Sequence, residues 1–327
     1  MNSYHQPIQI GSLSLKSNVF YAPLAGCSDY PFRQMSNHCR PGLFFTEMVK
    51  MDALIRYDQS TFRLLDYDGS MHPIGGQLVG SKSEIAGKAA KIIEELGFDL
   101  IDLNCGCPVD KVTKDGSGSG LLKTPQKIGE ILSNMINAVS IPVTLKIRIG
   151  WDENAINAAQ ITKIAEKAGA SAITIHGRTR AQGYKGSADL NPILEAKKEA
   201  NKIMVIGNGD IFSGEDAEKM FEYTGCDGIL VARGSLGTPW IHEDIVRHLN
   251  RLEPINRSPQ FIKETLLNHL SLILSYQPKR RALLDLRRIS CWYFKKGTGT
   301  KKLRESLCRI SDLKEAYKII EKHEFPV

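Results

Sequence analysis

Residues 143–149, Val-Thr-Leu-Lys-Ile-Arg-Ile, alternate strictly between apolar and polar side chains. A period of two predicts a β-strand with the odd positions on one face and Thr144, Lys146 and Arg148 on the other. An apolar outer face is typical of a parallel sheet covered by helices, whose inner residues line a site where the strands end. The stretch therefore predicts an enclosed sheet with cations on its inner face.

Seven further apolar runs of similar length occur before residue 233, and each ends in polar or glycine-rich sequence. They are Val19–Leu24, Leu43–Val49, Ile74–Val79, Leu100–Asn104, Ala172–His176, Ile203–Gly207 and Ile229–Ala232. Helical periodicity separates them, as in Ser83–Leu96, which Gly97 is expected to end. The alternation predicts an α/β (β/α)₈ TIM barrel, with an open doubly wound sheet as the alternative. Ile8–Leu15 predicts a short hairpin that closes the barrel floor.

The pattern changes after about Glu243, where strand-like runs stop. Three helices are predicted at Phe261–Tyr276, Lys279–Lys295 and Leu303–Lys322. We expect a barrel domain over residues 1–247 and a small all-helical domain over residues 248–327. The second segment holds 17 Lys/Arg and 8 Asp/Glu, a net charge of +9. Since the net charge of the whole chain is +7, the first segment has a net charge of −2. Such segregation indicates a polyanionic partner, with a solvated helical face as the plainer alternative.

Composition excludes several classes of protein. The hydrophobic fraction of 42% and charged fraction of 24% are typical of soluble globular proteins. Residues 1–11 lack the features of a signal peptide, and Ile131–Leu145 is too short and polar to span a membrane, so we expect a cytoplasmic protein. Seven cysteines argue against a disulfide framework, and Cys105 and Cys107 lack a second pair at zinc spacing, so we predict no metal site.

The same parity argument places further polar side chains on the inner face at the strand ends. They are Asp102, Asn104, Thr174, His176 and Arg178. Convergent cations need an anionic or hydrogen-bonding partner, and an anionic cofactor is favoured over an internal network with Asp102 and Glu47. The glycine-rich segments 207–211 and 232–237 follow the seventh and eighth strands, where barrels frequently bind phosphate.

The fourth strand ends in Asn104-Cys105-Gly106-Cys107-Pro108, and residues 109–120 form a candidate lid. A thiol there is a nucleophile, a metal ligand, a proton donor or a buried structural side chain. Its ordinary pKa of about 8.5 keeps it protonated at neutral pH, as a proton donor requires.

This motif, with Lys111 and Gly118-Ser119-Gly120, resembles the signature of the tRNA-dihydrouridine synthases. Other stretches match the family in the same order: Ala22–Gly26, Gln77, Leu145–Arg148, Ile175–Thr179, Gly207–Asp210, Ala232–Gly234 before Pro239-Trp240, and more loosely Arg287-Arg288 and Trp292-Tyr293. The resemblance covers most of the barrel and is closest to the bacterial subgroup called B.

The resemblance implies an enzyme that binds FMN, uses NADPH and reduces uridine in tRNA to 5,6-dihydrouridine. The residues implied at the cofactor are Pro23, Leu24, Ala25, Gln77, Lys146, His176, Asn208, Gly209, Asp210, Ala232 and Arg233. Asn104 and Cys107 would flank the uracil, with hydride passing to C6 and Cys107 protonating C5. Contacts with the tRNA are expected from Arg178, Arg287, Arg288, Lys295 and Lys296. We expect a monomer with no obligate protein partner.

Two other functions remain open. One is an FMN barrel that acts on a small pyrimidine such as dihydroorotate, which leaves the basic helical segment without a role. The other is a non-catalytic RNA-binding protein with a degenerate flavin site.

Overall fold

A computed structural model describes residues 4–295 and 300–323 of the chain. Two antiparallel strands, β1 (Ile8–Ile10) and β2 (Leu13–Leu15), come first. The parallel strands that follow are β3 (Val19–Tyr21), β4 (Phe44–Phe45), β5 (Val49–Lys50), β6 (Ile74–Val79), β7 (Leu100–Cys105), β8 (Val143–Arg148), β9 (Ala172–His176), β10 (Met204–Asn208) and β11 (Gly228–Val231). They pair in the order β3-β11-β10-β9-β8-β7-β6-β4, with β5 also on β6.

The sheet closes between its first two parallel elements. Gly42 N donates to Val19 O at 2.9 Å, and Tyr21 N donates to Leu43 O at 3.0 Å, just before β4 begins. The (β/α)₈ barrel prediction is therefore confirmed, and the open doubly wound sheet is excluded. The predicted second strand is divided into β4 and β5, because Thr46 Oγ1 and the Glu47 carboxylate accept hydrogen bonds from Gln77 N and Gly26 N between them.

Helices alternate with the strands and cover the outer face of the barrel. They are α1 (Tyr30–Asn37), α2 (Met51–Leu54), α3 (Gln59–Arg63), α4 (Ser83–Glu95), α5 (Asp110–Thr113), α6 (Pro125–Ile136), α7 (Ala158–Ala168), α8 (Asn191–Glu199), α9 (Gly214–Thr224) and α10 (Ile241–Leu249). Short 3₁₀ helices lie at Gly69–Met71, Gly118–Lys123 and Arg233–Ser235. Helix α4 ends as predicted, with Gly97 in the left-handed region at φ +86°.

The interior of the barrel is apolar at its floor and polar towards its mouth. Phe20, Phe45 and Leu100 pack with Ile10 and Leu15 of the β1–β2 hairpin in one buried cluster. The hairpin prediction is thus confirmed. The odd positions of β8 pack outward against the helices in the main core, whereas the Thr144 hydroxyl donates to Asp102 inside the barrel. This confirms the alternation predicted from the sequence.

The C-terminal part is helical, with α11 (Pro259–Tyr276), α12 (Lys279–Tyr293), α13 (Lys301–Arg309) and α14 (Leu313–Lys322) around a core of its own. The prediction of one helix over Leu303–Lys322 is wrong. The Asp312 side chain accepts a hydrogen bond from Lys314 N at 3.1 Å and caps a new helix there. The predicted domain boundary at 247/248 falls within α10, and the division stays a prediction. Within the described residues, no helix combines the length and the apolar character needed to cross a membrane.

Candidate active site

A hydrogen-bonded network of buried polar side chains forms the base of the barrel mouth. Gln77 Nε2 and Thr144 Oγ1 donate to the two oxygens of Asp102, each at 2.7 Å. Asn104 Nδ2 donates to Gln77 Oε1 at 2.9 Å. Because each of these side chains is hydrogen-bonded, the network holds them in single orientations, while Gln77 Nε2 and Asn104 Nδ2 each keep a second N–H.

Lys146 lies one layer above this network and bonds to an amide instead of a carboxylate. Its Nζ donates to Asn208 Oδ1 at 3.0 Å, while Asn208 Nδ2 donates to Leu230 O at 2.7 Å. Burial lowers the pKa of Lys146; the charge of Asp102 opposes this shift and that of Arg148 adds to it. Burial in turn raises the pKa of the Asp102 carboxyl. Desolvation thus disfavours the charged forms of both side chains, and a ligand with negative charge near Lys146 would raise the pKa of Lys146.

His176 lies at the end of β9, and the positive charges of the barrel mouth surround its imidazole ring. Burial lowers its pKa to about 2, and the charges of Lys146, Arg148, Arg178 and Arg233 lower it in the same direction. The imidazole is therefore neutral at physiological pH and serves as a hydrogen-bonding group. Four surrounding cations make this a region of positive potential.

The loops after β10 and β11 meet at Asp210. Its carboxylate accepts hydrogen bonds from Arg178 at 2.8 and 2.6 Å and from Arg233 at 2.8 Å. Gly209 before it has φ +137°, and a Cβ there would lie 2.7 Å from Ala188 Cβ, so this position requires glycine. Arg178 is 2% exposed and also donates to the carbonyls of Lys185 and Gly186. This placement does not support the tRNA contact predicted for Arg178.

Cys107 sits on a turn that is held from several sides. Asn104 Oδ1 accepts from Gly106 N at 3.1 Å and from Cys107 N at 2.9 Å, while Ser119 N and Oγ donate to Cys107 O. Burial raises the pKa of the half-buried Cys107 thiol, against opposing effects of the Val109 backbone and Arg148. The side chain is consequently a thiol at neutral pH, which suits a proton donor better than a nucleophile.

These elements enclose one cavity of about 370 Å³ at the C-terminal ends of the strands, within the size range of cofactor sites. All eleven residues predicted at the cofactor line it, together with Asn104 and Cys107: Pro23, Leu24, Ala25, Gln77, Lys146, His176, Asn208, Gly209, Asp210, Ala232 and Arg233. No sequence pattern indicated Met48, Tyr184 or Phe212, which also line it. The guanidiniums of Arg233 and Arg148 lie 4.9 and 5.6 Å from the centre of the Tyr184 ring.

The basic residues predicted to contact RNA occupy different environments. Arg287 donates twice to Ile310 O, at 2.8 and 2.6 Å, and so holds the end of α13. Arg288 donates to Asp285 at 2.9 Å and reaches the barrel mouth, where its Nη1 lies 3.6 Å from Cys27 Sγ. Lys295 is exposed, and Lys296 lies outside the described residues. Tyr293 packs in the helical core against Trp240.

The chemistry of this lining fits a planar cofactor with a phosphate. Residues 22–25 provide a small, largely apolar wall, and Gln77 and Asn104 present amides beside it. Arg178 and Arg233 share the Asp210 carboxylate, whereas Lys146 and Arg148 bond to neutral oxygens, so positive charge is in excess. Across residues 4–295 and 300–323, no group of three or more His, Cys, Asp or Glu could hold a metal ion.

The fold and this cavity define a class of protein, a (β/α)₈ barrel with a cationic mouth and a thiol at its edge. Residues 20–326 match the family model described as dihydrouridine synthase (Dus), and the chain belongs to that family. It is 36% identical over 97% of its length to a probable tRNA-dihydrouridine synthase 1 from Synechocystis sp., covering 89% of that protein. It is 36% identical over 93% of its length to a tRNA-dihydrouridine synthase B from Pseudomonas aeruginosa, covering 92% of it. The resemblance to the family and to its bacterial B-type subgroup is confirmed.

Solved structures share the barrel at low sequence identity. Histamine dehydrogenase from Rhizobium sp. 4-9 has a TM-score of 0.59 and 14% identity, over 83% of this chain and 51% of that one. Morphinone reductase, solved in complex with tetrahydroNAD, has a TM-score of 0.54 and 12% identity, over 78% of this chain and 93% of that one. At these identities the likeness shows the fold.

Proposed function

We propose that this chain reduces uridines in tRNA to 5,6-dihydrouridine, with FMN as its cofactor and NADPH as the reductant. The observation that carries the proposal is a protonated thiol, Cys107, at the rim of a cationic cavity in a member of the Dus family. Several relatives are named tRNA-dihydrouridine synthases, which supports tRNA as the substrate.

The cavity lining suits the parts of FMN one by one. Residues 23–25 would line the ring system, and the Gln77 amide would bond its pyrimidine edge. Lys146 would face the region where negative charge develops on reduction, and such a cation, already oriented by Asn208, needs little reorganisation. His176, the loop at Asn208, Gly209 and Asp210, and Ala232 and Arg233 after β11 would hold the phosphate end.

When bound, the reduced flavin supplies the hydride that adds to C6 of the uracil. Cys107 then transfers its thiol proton to C5 and is left as a thiolate, which takes up a proton from water. Asn104 and Cys107 flank the uracil, and the backbone bonds from Asn104 keep the thiol at the cavity rim. A positioned general acid contributes about 10²–10⁴-fold in rate.

The uridine has to leave the tRNA stack to reach a site in a barrel mouth, which costs a few kcal/mol. The basic helical segment is suited to offset this cost through phosphate contacts. Arg288 lies beside the mouth, and Lys295, Lys301 and Lys302 are exposed. We therefore assign the RNA-binding surface to these side chains, together with Arg287 and Lys296 as predicted.

The test is direct. The purified protein, supplied with FMN and NADPH, is incubated with unmodified tRNA, and dihydrouridine is measured by mass spectrometry of the nucleosides. Formation of dihydrouridine supports the proposal. Turnover of free uracil or dihydroorotate without turnover of tRNA would favour the small-molecule enzyme. RNA binding by a colourless protein that retains no flavin would favour the non-catalytic function.

A further inference from the structure

Arg148, the last residue of β8, ties together two chain segments at the cavity. Its Nε donates to Gly106 O at 2.9 Å, and its Nη1 donates to Thr179 O at 2.9 Å and to Gly183 O at 2.8 Å. The side chain is 2% exposed. Gly106 directly precedes Cys107, and Gly183 directly precedes Tyr184, so one guanidinium spans the turns that carry both cavity-lining side chains.

The burial of Arg148 among backbone carbonyls costs free energy. A buried cation surrounded by neutral carbonyls gains less than one paired with a carboxylate, and desolvation lowers the pKa of Arg148 accordingly. The planar guanidinium offers in return several donors in a rigid geometry, which the single nitrogen of a lysine does not. Its hydrogen-bond acceptors among the described residues are backbone carbonyl oxygens. Arg148 therefore fixes the backbone conformation of these segments.

We propose that Arg148 is a positioning residue for proton transfer, because its guanidinium fixes the Gly106 carbonyl and thereby directs the Cys107 thiol into the cavity. The inference rests on the proposed function of Cys107 as the proton donor.

Arg148 adds to the contacts around Cys107 one that comes from a neighbouring strand. Asn104 Oδ1 accepts hydrogen bonds from the two amide nitrogens of the turn, and Ser119 Oγ donates to the carbonyl of Cys107. Asn104 lies on β7 and Ser119 in the connection that follows it, so both belong to the same chain segment as Cys107. Arg148 brings the neighbouring strand and the 179–184 segment into the same network. Its charge also opposes the burial that raises the pKa of the Cys107 thiol.

The experiment separates geometry from charge with two variants, Arg148→Lys and Arg148→Ala. The rate of dihydrouridine formation is measured in a single turnover with pre-reduced enzyme, beside tRNA affinity and flavin content. Alkylation of Cys107 by iodoacetamide is followed against pH by mass spectrometry. A displacement of about 1 Å at a reacting group can cost roughly 10²-fold in rate, so both variants are expected to slow turnover by about that factor, with tRNA affinity and flavin content unchanged.

The two variants are expected to differ in thiol reactivity. Arg148→Lys keeps a cation near Cys107 and should leave the alkylation midpoint close to that of the wild type. Arg148→Ala removes it and should move the midpoint to higher pH, and added guanidinium should restore part of its turnover. Wild-type turnover in both variants, or losses that follow flavin or tRNA affinity in proportion, would overturn the proposal.

Arg33 provides a matched control because it is also buried, at 1% exposure, and bonds to the carbonyls of Ser28 and Asp66. Arg33→Ala is expected to lower thermal stability with wild-type alkylation and turnover; the same alkylation and turnover changes in this variant would count against a specific role of Arg148. If the wild type forms no dihydrouridine, the proposed function fails, while the alkylation profiles still decide whether Arg148 positions Cys107.

Discussion

Asp210, which lines the cavity, and Arg178 form two parallel hydrogen bonds, at 2.8 and 2.6 Å. The carboxylate also accepts from Ala188 N at 2.9 Å and adopts a left-handed backbone conformation at φ +48°. It therefore compensates a buried guanidinium and joins the loops after β9 and β10.

We predict that Asp210→Asn destabilises the flavin-free protein by about 1.5–3 kcal/mol, because it leaves the buried charge of Arg178 with neutral acceptors only. Denaturation by urea measures the loss. Asp189 lies in the same region but is exposed and caps Asn191, so Asp189→Asn should cost less than about 1 kcal/mol. Equal stability of Asp210→Asn and the wild type would contradict this assignment.

Replacement of Cys107 by alanine is expected to reduce dihydrouridine formation by about 10²–10⁴-fold while flavin and tRNA affinities stay unchanged. Turnover, flavin absorbance and filter binding of tRNA measure the three quantities. Cys105 is the matched control, since its thiol lies in the core between β7 and the helices. Cys105→Ala should keep wild-type turnover, and near-normal turnover of Cys107→Ala would remove the proton-donor role.

The pH dependence of the proton-transfer step follows from the same thiol. Burial raises the pKa of Cys107 above its ordinary value of about 8.5, and the protonated form is the active one. The single-turnover rate should consequently stay level through neutral pH and fall only at alkaline pH, as the thiol ionises. Cys107→Ser should show no such alkaline fall. A decline of the wild-type rate that begins near pH 7 would contradict the raised pKa.

The exposed lysines of the helical segment should set the salt dependence of tRNA binding. Replacement of Lys295, Lys301 and Lys302 by alanine is expected to weaken binding and to lower the slope of log affinity against log salt by about 0.7–0.9 for each lysine–phosphate pair removed. Lys88 and Lys198 are exposed on α4 and α8, and their replacement should leave the slope unchanged. An unaltered slope in the triple variant would place the RNA surface elsewhere.

The periodicity of apolar residues predicted the barrel because every strand repeats the same pattern of ladder hydrogen bonds and outward apolar packing. The alternation in β8 correctly placed Thr144 and Lys146 inside, since both lie within a continuous ladder. Arg178 lies beyond the end of β9, where Arg178 N donates to His176 O at 2.7 Å in a tight turn and strand parity no longer applies. Its partner, Asp210, is distant in sequence, so no local pattern indicates their pairing.

Two other features depended on contacts that the sequence does not display. Tyr184 is 55% exposed, as its polar loop predicts, but it also lines the cavity because Arg148 and Arg233 pack against its ring. The apolar spacing of residues 303–322 continues through Asp312, whose side chain ends one helix and starts the next. The position of such a loop depends on packing against residues that are distant in sequence. A helix break of this kind depends on one capping side chain.

The β1–β2 hairpin and the apolar layer above it seal the floor of the barrel, so the cavity opens towards the mouth alone. Under the proposed function, the nicotinamide and the uracil must then approach the flavin from the same side. The two substrates would compete for one space, and the oxidised coenzyme would have to depart before the RNA enters. Because the floor of the barrel is sealed, we expect steady-state kinetics of the double-displacement type, in which double-reciprocal plots at different concentrations of the second substrate are parallel.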